Sequence, residues 1–308
     1  MLSETGMVSR RTLTRSLMAA AVVGGVSGCA RVVPQGLGLA LTPSPLTDGP
    51  VYNFALNLEY LEGEYYARGV NGSGLPDELL GPRPRGVTGG RQVNFQTAYI
   101  REFMTEIAED ERNHVRYLRS HIRKRLLGEM SRPQIDLTAA FRAAGSAAGL
   151  GDNFDPFANE QSFLLGAFLF EDVGVTAYTG AAKRLSNADF VEDAAGILAV
   201  EAYHAGLVRA QLAEMGPAAV NAANAITVAR DKLDGDTVNE TPLTEGDRIN
   251  ISATDAQGLA YPRSVQQVLN VVYLTPGKHQ KGGGFFPEGF NGVVRFSEID
   301  SDPNVRTA

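Results

Sequence analysis

Cysteine, histidine and tryptophan are scarce in this chain of 308 residues, which has one cysteine, four histidines and no tryptophan. The cysteine, Cys29, follows an N-terminal apolar stretch and has no second cysteine with which to pair. Disulfide bonds within the chain, iron–sulfur clusters and cysteine-based zinc sites are therefore excluded. Any metal ion must be held by histidine nitrogen and carboxylate oxygen atoms.

The sequence also has no excess of basic residues and no long hydrophobic run. The formal net charge is −7, with 28 Lys and Arg against 35 Asp and Glu, so we expect no nucleic-acid partner. The apolar stretch at residues 17–26 is shorter than the roughly 20 residues that span a bilayer. A chain that is 44% hydrophobic and 20% charged is typical of a folded globular protein.

Residues 1–29 have the pattern of an export signal peptide. A basic segment with the paired arginines Arg10 and Arg11 precedes the apolar stretch, as in twin-arginine signals. Residues 26–29 (VSGC) resemble a lipobox, in which Cys29 would be lipidated; the alternative is an ordinary cleavage site near Cys29. We therefore expect an exported protein of the periplasm or cell envelope, whose contact with the membrane is a lipid anchor at Cys29.

Apolar residues recur at three- and four-residue spacing in the following chain, which predicts an all-α fold. The predicted long helices are Val51–Arg68, Val93–Leu127, Asn159–Leu185 and a fourth that begins after Ser186 or Asn187 and ends at Gly216-Pro217. Residues 129–157 form a long connection with a short helix at Leu137–Ala144, and a further helix is predicted at Ala218–Leu233. One long crossover between helical pairs is a known way to build a four-helix bundle.

Composition divides the chain after the signal into three parts. Residues 30–48 are rich in proline, glycine, leucine and threonine and suit a tether, and residues 49–234 hold the bundle and its additional helix. Residues 235–308 are irregular, and their one helix signal is a capping-box pattern from Ser264 to Gln267. We expect this C-terminal extension to pack on the bundle, because it keeps many aromatic and β-branched residues.

Two of the four histidines follow a glutamate by three residues, in the pairs Glu111/His114 and Glu201/His204. Residues at i and i+3 share one helix face, so each pair can reach one metal ion. One such pair alone is a weak signal. Di-iron carboxylate bundles, however, combine two such pairs with a single glutamate from each of the two other helices.

The other two helices offer Glu59 and Glu171, each within an apolar face where an unpartnered carboxylate is costly to bury. Glu171 lies as far before the turn near residues 185–186 as Glu201 lies after it, so at ~1.5 Å per residue both reach the same depth of an antiparallel pair. The alternative for Glu171 is a lone buried salt bridge. The sequence therefore predicts two iron or manganese ions, with zinc also fitting, bridged by Glu111 and Glu201.

Four further residues are predicted near this centre. Tyr66 and Tyr178 follow the candidate ligands Glu59 and Glu171 by seven residues, two turns along the same face. They would hydrogen-bond a ligand or carry an electron, or be core tyrosines with satisfied hydroxyls. Glu62 is a candidate accessory ligand, and Asp110 is predicted to orient the ring of His114. The residues predicted to lie away from the ions are Asp172, Glu102, Glu106, Glu109, His121 and His279.

Several segments resemble a known family. Residues 53–62 (NFALNLEYLE) with Tyr65 and Tyr66, and the C-terminal segments LAYPRS, VLNVVY and GGFFPEG, are similar to the ferritin-like family of plant desiccation-related proteins and fungal stress-induced homologues. The resemblance covers roughly residues 49–295. It implies a ferritin-like four-helix bundle, export or a surface location, and a link to desiccation or oxidative stress, and it leaves the reaction open.

Three functions fit these patterns. The first is an oxidoreductase that acts on oxygen or peroxide as a ferroxidase, peroxidase or catalase, with substrate in open coordination positions. The second is a non-enzymatic stress-protective or surface-interaction protein whose metal site is structural or vestigial. The third, an iron-storage cage, is disfavoured because the long C-terminal extension would obstruct the usual packing. The sequence leaves a homo-oligomer open.

Overall fold

The structure is a computed structural model that describes residues 45–124, 130–235, 240–277 and 280–292. The predicted export signal with Cys29, and most of the predicted tether, lie outside these residues. The helices are α1 (Pro45–Asn71), α2 (Ala98–Lys124), α3 (Ala139–Ala147), α4 (Glu160–Ala182), α5 (Ala188–Glu214), α6 (Pro217–Asp234) and α7 (Val265–Val272). The strands are β1 (Val87–Thr88), β2 (Ile135–Asp136), β3 (Thr244–Glu245) and β4 (Arg248–Ile249).

Four long helices form the bundle: α1 packs along α2, and α4 packs along α5. The crossover from α2 to α4 contains α3, and the short parallel pairing of β1 with β2 joins this crossover to the connection between α1 and α2. The predicted all-α fold, a four-helix bundle with one long crossover, is confirmed.

The first helix is longer than its sequence pattern predicted at both ends. It begins at Pro45, so residues 45–48 of the predicted tether are helical, and Asp48 accepts hydrogen bonds from the backbone N–H groups of Ser186 (2.8 Å) and Asn187 (3.2 Å). Gly69, which follows the predicted end at Arg68, lies inside α1. A Cβ there would lie 2.1 Å from the ring of Phe163, so this glycine serves packing rather than termination.

The second helix begins at Ala98 rather than Val93, because its first turn is capped from another helix. The Glu160 carboxylate, at the start of α4, accepts hydrogen bonds from the backbone N–H groups of Gln96 (2.9 Å) and Thr97 (3.0 Å). Such a cap leaves no local sequence signal. The bounds of two other helices also differ from prediction. The short crossover helix is Ala139–Ala147 rather than Leu137–Ala144, and the third long helix is Glu160–Ala182 rather than Asn159–Leu185.

Capping side chains begin α4, α5 and α7, and the sequence had indicated the caps at Asn187 and Ser264. The side chain of Asn159 accepts a hydrogen bond from the backbone of Ser162 at 2.9 Å, and that of Asn187 accepts one from Asp189 at 2.9 Å. A capping box at Ser264 begins α7. These caps satisfy backbone N–H groups that have no partner within their own helix.

The described part of the C-terminal extension lies against the bundle. The ring of Phe285 packs 4.9 Å from Phe141 and 5.0 Å from Phe170, between centroids. Asn57 and Asn291 exchange hydrogen bonds of 3.0 and 2.9 Å. Within the described residues, no helix has the combination of length and apolar character that a membrane span requires.

A buried network of ion pairs, here called the arginine cluster, ties the extension and α6 to α4 and α5. Arg230 contacts Asp172 at 2.7 Å and Glu240 at 2.8 Å through Nη2. Arg263 contacts Asp234 at 2.7 Å and also pairs with Glu240. The complete cluster is Asp172, Arg209, Arg230, Asp234, Glu240 and Arg263. Because three arginines face three acids, the cluster is neutral without any outside ion.

Candidate metal centre

The six predicted ligands meet inside the bundle, and all are buried. They come from the four bundle helices: Glu59 from α1, Glu111 and His114 from α2, Glu171 from α4, and Glu201 and His204 from α5. The i, i+3 spacing places both members of each Glu-x-x-His pair on one face of their helix. Apolar neighbours surround these side chains, so their charges must be balanced inside the site itself.

A first group consists of Glu59, Glu111, His114 and Glu201, whose ligand atoms lie within 4.8 Å of one another. Nδ1 of His114 lies 3.2 Å from Oε2 of Glu59, 3.3 Å from Oε2 of Glu111 and 3.8 Å from Oε1 of Glu201. One imidazole nitrogen and three carboxylates form a ligand set suited to iron, manganese or zinc.

A second group consists of Glu111, Glu171 and His204. Nδ1 of His204 lies 3.1 Å from Oε1 of Glu111 and 3.5 Å from Oε2 of Glu171. Glu111 belongs to both groups through its two oxygens, which is the position of a bridging carboxylate. Glu201, the other predicted bridge, belongs to the first group in this structure.

The ligand atoms fit metal ions because several are buried without another partner. Among the described residues, no hydrogen bond reaches Oε2 of Glu59, Oε1 of Glu111, Oε2 of Glu171, both carboxylate oxygens of Glu201 or Nδ1 of His204. Leaving a buried polar group unsatisfied costs about 1–3 kcal/mol, and more when it is charged. These oxygen and nitrogen atoms lie close together without hydrogen bonds to satisfy them. Their lone pairs therefore point to common positions, as the ligands of a bound metal ion do.

The two predicted tyrosines hydrogen-bond across the bundle. Tyr66 on α1 donates to Oε1 of Glu171 on α4, and Tyr178 on α4 donates to Oε1 of Glu59 on α1. Burial raises the pKa of both phenols well above their usual range, so they stay protonated donors. Each tyrosine therefore holds one oxygen of a glutamate and leaves the other oxygen directed to the centre. Their hydrogen bonding is confirmed; electron transfer stays a prediction.

The partner predicted for Asp110 was wrong. Oδ2 of Asp110 lies 3.2 Å from Nε2 of His204 on α5, rather than next to the ring of His114 on its own helix. Nδ1 of the same His204 ring faces the second group, so Asp110 fixes that ring in orientation. Sequence spacing reports neighbours along one helix, whereas the packing of α5 brings this ring to Asp110.

Glu62 lies beside the centre but outside both ligand groups. Its side chain is buried, and its Oε1 lies near Gly174 of α4, as does Oε2 of Glu201. Burial raises the pKa of Glu62 well above its usual range, and the charges of Glu111 and Glu171 raise it further. Its role as an accessory ligand stays a prediction.

Protons stabilise the metal-free site. Burial raises the pKa of Glu59 to about 7, although His114 opposes this shift. For His114, burial acts to lower the pKa, but Glu111 and Glu59 overcome it and raise the pKa to about 12. For His204, burial also acts to lower the pKa, but Glu171 and Glu111 raise it to about 11. Burial also acts to raise the pKa of Glu111, yet the two histidines hold it below its usual range.

The residues predicted to lie away from the ions do so wherever the structure describes them. Glu102, Glu106 and Glu109 are on the exposed face of α2, and the ring of His121 stacks on Tyr117 with centroids 4.0 Å apart. Asp172 belongs to the arginine cluster. His279 lies outside the described residues. Sequence reasoning missed Gly174, where a Cβ would lie 2.2 Å from Oε2 of Glu201; the signal is a glycine three residues after Glu171.

A four-helix bundle with buried glutamates and histidines is the architecture of the ferritin-like class of proteins. Comparison with known sequences confirms that the chain is of this class. The ferritin-like domain family matches residues 47–214, more than half of the chain, and the chain belongs to this family.

Two relatives each match a larger share of the chain than the family model does. The chain is 32% identical over 251 residues to desiccation-related protein PCC13-62 of Craterostigma plantagineum, covering 73% of this chain and 77% of that protein. It is 26% identical over 271 residues to ferritin-like catalase Nec2 of Nesocodon mauritianus, covering 80% of this chain and 84% of that protein. No solved structure gives a significant match.

Proposed function

We propose that this protein holds two iron or manganese ions and decomposes hydrogen peroxide to water and dioxygen in stress protection. The observation that carries the proposal is the set of buried ligand atoms without hydrogen-bond partners in the described bundle. The name of a relative, a ferritin-like catalase, supports peroxide as the substrate. In this reaction one peroxide is reduced to two waters and a second is oxidised to dioxygen, so no outside electron donor is needed.

The side chains have distinct tasks in this proposal. The ions, when bound, supply a two-electron redox couple and Lewis acidity. Glu59, Glu111, His114 and Glu201 would hold one ion, and Glu111, Glu171 and His204 the other, with Glu111 as the bridge. Tyr66 and Tyr178 position Glu171 and Glu59, and Asp110 positions His204. The apolar core around the site excludes bulk water.

Elemental analysis of the purified protein, beside a Glu111→Gln/Glu201→Gln double variant, tests the metal site. We expect about two iron or manganese atoms per chain in the unchanged protein and their loss in the variant, because metal affinity depends on deprotonated ligands. Oxygen release from hydrogen peroxide should disappear with the metal.

A Glu102→Gln/Glu106→Gln variant is the matched control, since it makes the same charge change on the exposed face of α2. It should keep both metal and turnover. A chain that binds no iron or manganese after reconstitution would refute the metal site. A metal-loaded chain that releases no oxygen from peroxide would refute the catalase activity alone.

A second function, non-enzymatic stress protection, is supported by the relative named for desiccation. It predicts that protection of cells or enzymes during drying survives in the Glu111→Gln/Glu201→Gln variant. Loss of protection in that variant, with the fold intact, would contradict it.

We also propose that the protein is exported and lipid-anchored at Cys29, on the strength of the pattern in residues 1–29. Mass spectrometry of the mature N-terminus tests this proposal. A lipid-modified cysteine at position 29 is expected, and an unmodified residue after ordinary cleavage would contradict the anchor.

A further inference from the structure

A cluster of aromatic side chains around one carboxylate lies at the end of the bundle where α4 turns into α5, outside the two ligand groups. Asp193 on α5 accepts hydrogen bonds at both carboxylate oxygens, at Oδ1 from the hydroxyl of Tyr117 on α2 and at Oδ2 from that of Tyr52 on α1 (3.1 Å). The ring of His121 stacks on Tyr117 with centroids 4.0 Å apart. Tyr52 is buried, whereas Tyr117 is 38% exposed. One carboxylate therefore joins a buried phenol to a phenol that reaches solvent.

This cluster lies about two helical turns along the bundle from the candidate ligands. Tyr52 lies seven residues before Glu59 of α1, and Tyr178 lies equally far after the candidate glutamate ligand of α4. The hydrogen bonds of Tyr66 and Tyr178, each to the glutamate of the other helix, show that α1 and α4 are antiparallel with the two glutamates level. At ~1.5 Å per residue, Tyr52 and Tyr178 therefore share one depth, roughly 10 Å from the glutamates. Both side chains line the same apolar pocket, so no helix lies between them.

Tyr178 connects this cluster to the candidate metal centre, because its hydroxyl donates to Oε1 of Glu59, a member of the first ligand group. Tyr178, Tyr52 and Tyr117, here called the tyrosine series, thus run from a ligand to the surface. A phenol that loses an electron must also lose its proton, since the oxidised ring holds that proton only weakly. A carboxylate within about 2.6–3.2 Å of the hydroxyl can take it up. Glu59 offers such a base to the first tyrosine of the series, and Asp193 offers one to the other two.

The tyrosines on the other side of the ligands do not form a comparable series. Tyr66 donates to Glu171, and its ring lies 5.2 Å from that of Tyr65, between centroids. The hydroxyl of Tyr65 donates to the backbone carbonyl of Phe163 at 2.6 Å, and a carbonyl is too weak a base to take up a proton. Both tyrosines are fully buried. This pair therefore ends in the core, whereas the tyrosine series reaches solvent.

We propose a second activity, that of a peroxidase, in which a small phenol in solution gives up electrons at Tyr117 and these reach the metal centre through Tyr52 and Tyr178. This inference rests on the proposed function, with hydrogen peroxide as the oxidant. A phenol is the donor that fits, because it exchanges one electron and one proton with the phenol of Tyr117. Each tyrosine regains its proton from its carboxylate when it is reduced again. Two donor phenols each lose one electron and one proton and become phenoxyl radicals, and one hydrogen peroxide is reduced to two waters.

The test uses the full chain loaded with iron and mixed with hydrogen peroxide and a nitroso spin trap, which bonds covalently to tyrosyl radicals. Without a donor phenol, peptide mass spectrometry should find the trap on Tyr117. Tyr52→Phe keeps the ring but removes the hydroxyl, and Asp193→Asn keeps the shape of the side chain but removes the base. Each change should lower the yield of adduct at Tyr117 several-fold at unchanged iron content, because neither residue belongs to the ligand groups. Asp193→Asn, at a partly exposed position, carries the test if Tyr52→Phe fails to fold.

Guaiacol, a small phenol, provides the second measurement. The iron-loaded protein should oxidise it, two molecules for each hydrogen peroxide, and guaiacol should suppress the adduct at Tyr117. Its oxidation should slow several-fold in Tyr52→Phe, because the electrons pass through this hydroxyl-bearing ring. An equal rate of guaiacol oxidation in Tyr52→Phe at normal iron content would overturn the proposal.

Tyr203→Phe is the matched control, because it removes a hydroxyl from a tyrosine of α5 that is 72% exposed and outside the tyrosine series. It should change neither the adduct at Tyr117 nor the oxidation of guaiacol. Adducts on Tyr203 rather than Tyr117 would mean that radicals arrive from solution, and would overturn the proposal. An iron-loaded chain that releases oxygen from peroxide but forms no adduct at Tyr117 would overturn the peroxidase path and leave the catalase activity standing. A chain that binds no iron or manganese would overturn the metal site and the path together.

Discussion

Two clusters of buried charge lie on different faces of α4, and consecutive residues belong to them. Glu171 faces the candidate metal centre, whereas Asp172 joins the arginine cluster. The arginine cluster matches three acids with three arginines. The metal centre, counted with Glu62, gathers five carboxyl groups and two imidazoles. The first cluster is complete within the chain, and the second requires cations from outside: protons or metal ions.

The largest effect should come from breaking the neutral cluster. Arg230→Met leaves Asp172 and Glu240 buried without this partner, so we expect a loss of about 3–5 kcal/mol in the free energy of unfolding. Urea unfolding of the metal-free protein measures it. Arg101→Met, an exposed change on α2, should stay within about 0.5 kcal/mol. A loss below about 1 kcal/mol for Arg230→Met would show that the cluster does not stabilise the fold as an ion-pair network.

The stability of the metal-free protein should fall as the pH rises. This pH dependence is a second difference between the candidate metal centre and the arginine cluster. The pKa of Glu59 is about 7 in the folded state against 4.5 ordinarily, because of burial. Its stabilising proton is fully present below pH 4.5 and lost as the pH rises through 7. One pKa unit corresponds to about 1.4 kcal/mol, so a loss on the order of 2 kcal/mol between pH 5 and 7 is expected.

Urea unfolding at several pH values measures this loss, and Glu59→Gln should flatten the dependence. A Glu102→Gln variant should keep the slope of the unchanged protein, because Glu102 is exposed. An equal slope in the Glu59→Gln variant would contradict the assignment of this proton to Glu59.

The smallest effect is an expected gain in stability, opposite in sign to the loss expected for Arg230→Met. Burial raises the pKa of Glu201, and Glu62 and Glu111 raise it further. Glu201→Gln removes a carboxyl group from this repulsive set, so the metal-free protein should gain about 1 kcal/mol while metal binding weakens. Thermal unfolding with and without iron measures both changes. If the metal-free variant were less stable than the unchanged protein, Glu201 would be a residue that stabilises the fold rather than a metal ligand.

Local sequence pattern was sufficient wherever neighbours along one helix decided the outcome. The spacing Glu111/His114 and Glu201/His204 placed each pair on one face, and the turn near residues 185–186 placed Glu171 opposite Glu201. Asn187 and Ser264 cap helices as their positions indicated. The pairs and caps lie within a few residues of the chain, where helix geometry fixes the distance, and the short turn carries the same counting from Glu171 to Glu201.

Contacts between segments far apart in the sequence could not be predicted from local sequence patterns. The start of α2 depends on Glu160, and the ring of His204 is oriented by Asp110. The arginine cluster joins four separate parts of the chain, from Asp172 to Arg263. Nothing in the spacing of these residues specifies which side chain each will meet, because that depends on how the helices pack.

The sequence by itself determined the helical fold and the six candidate ligands, because periodic burial and i, i+3 spacing are properties of a single helix. The tertiary structure decided which candidate ligands group together and that Tyr66 and Tyr178 reach across to each other's helix. It also decided that the C-terminal extension packs on Phe141 and Phe170 through Phe285. These outcomes depend on packing between segments far apart in sequence, where a shift of a few ångströms changes every partner.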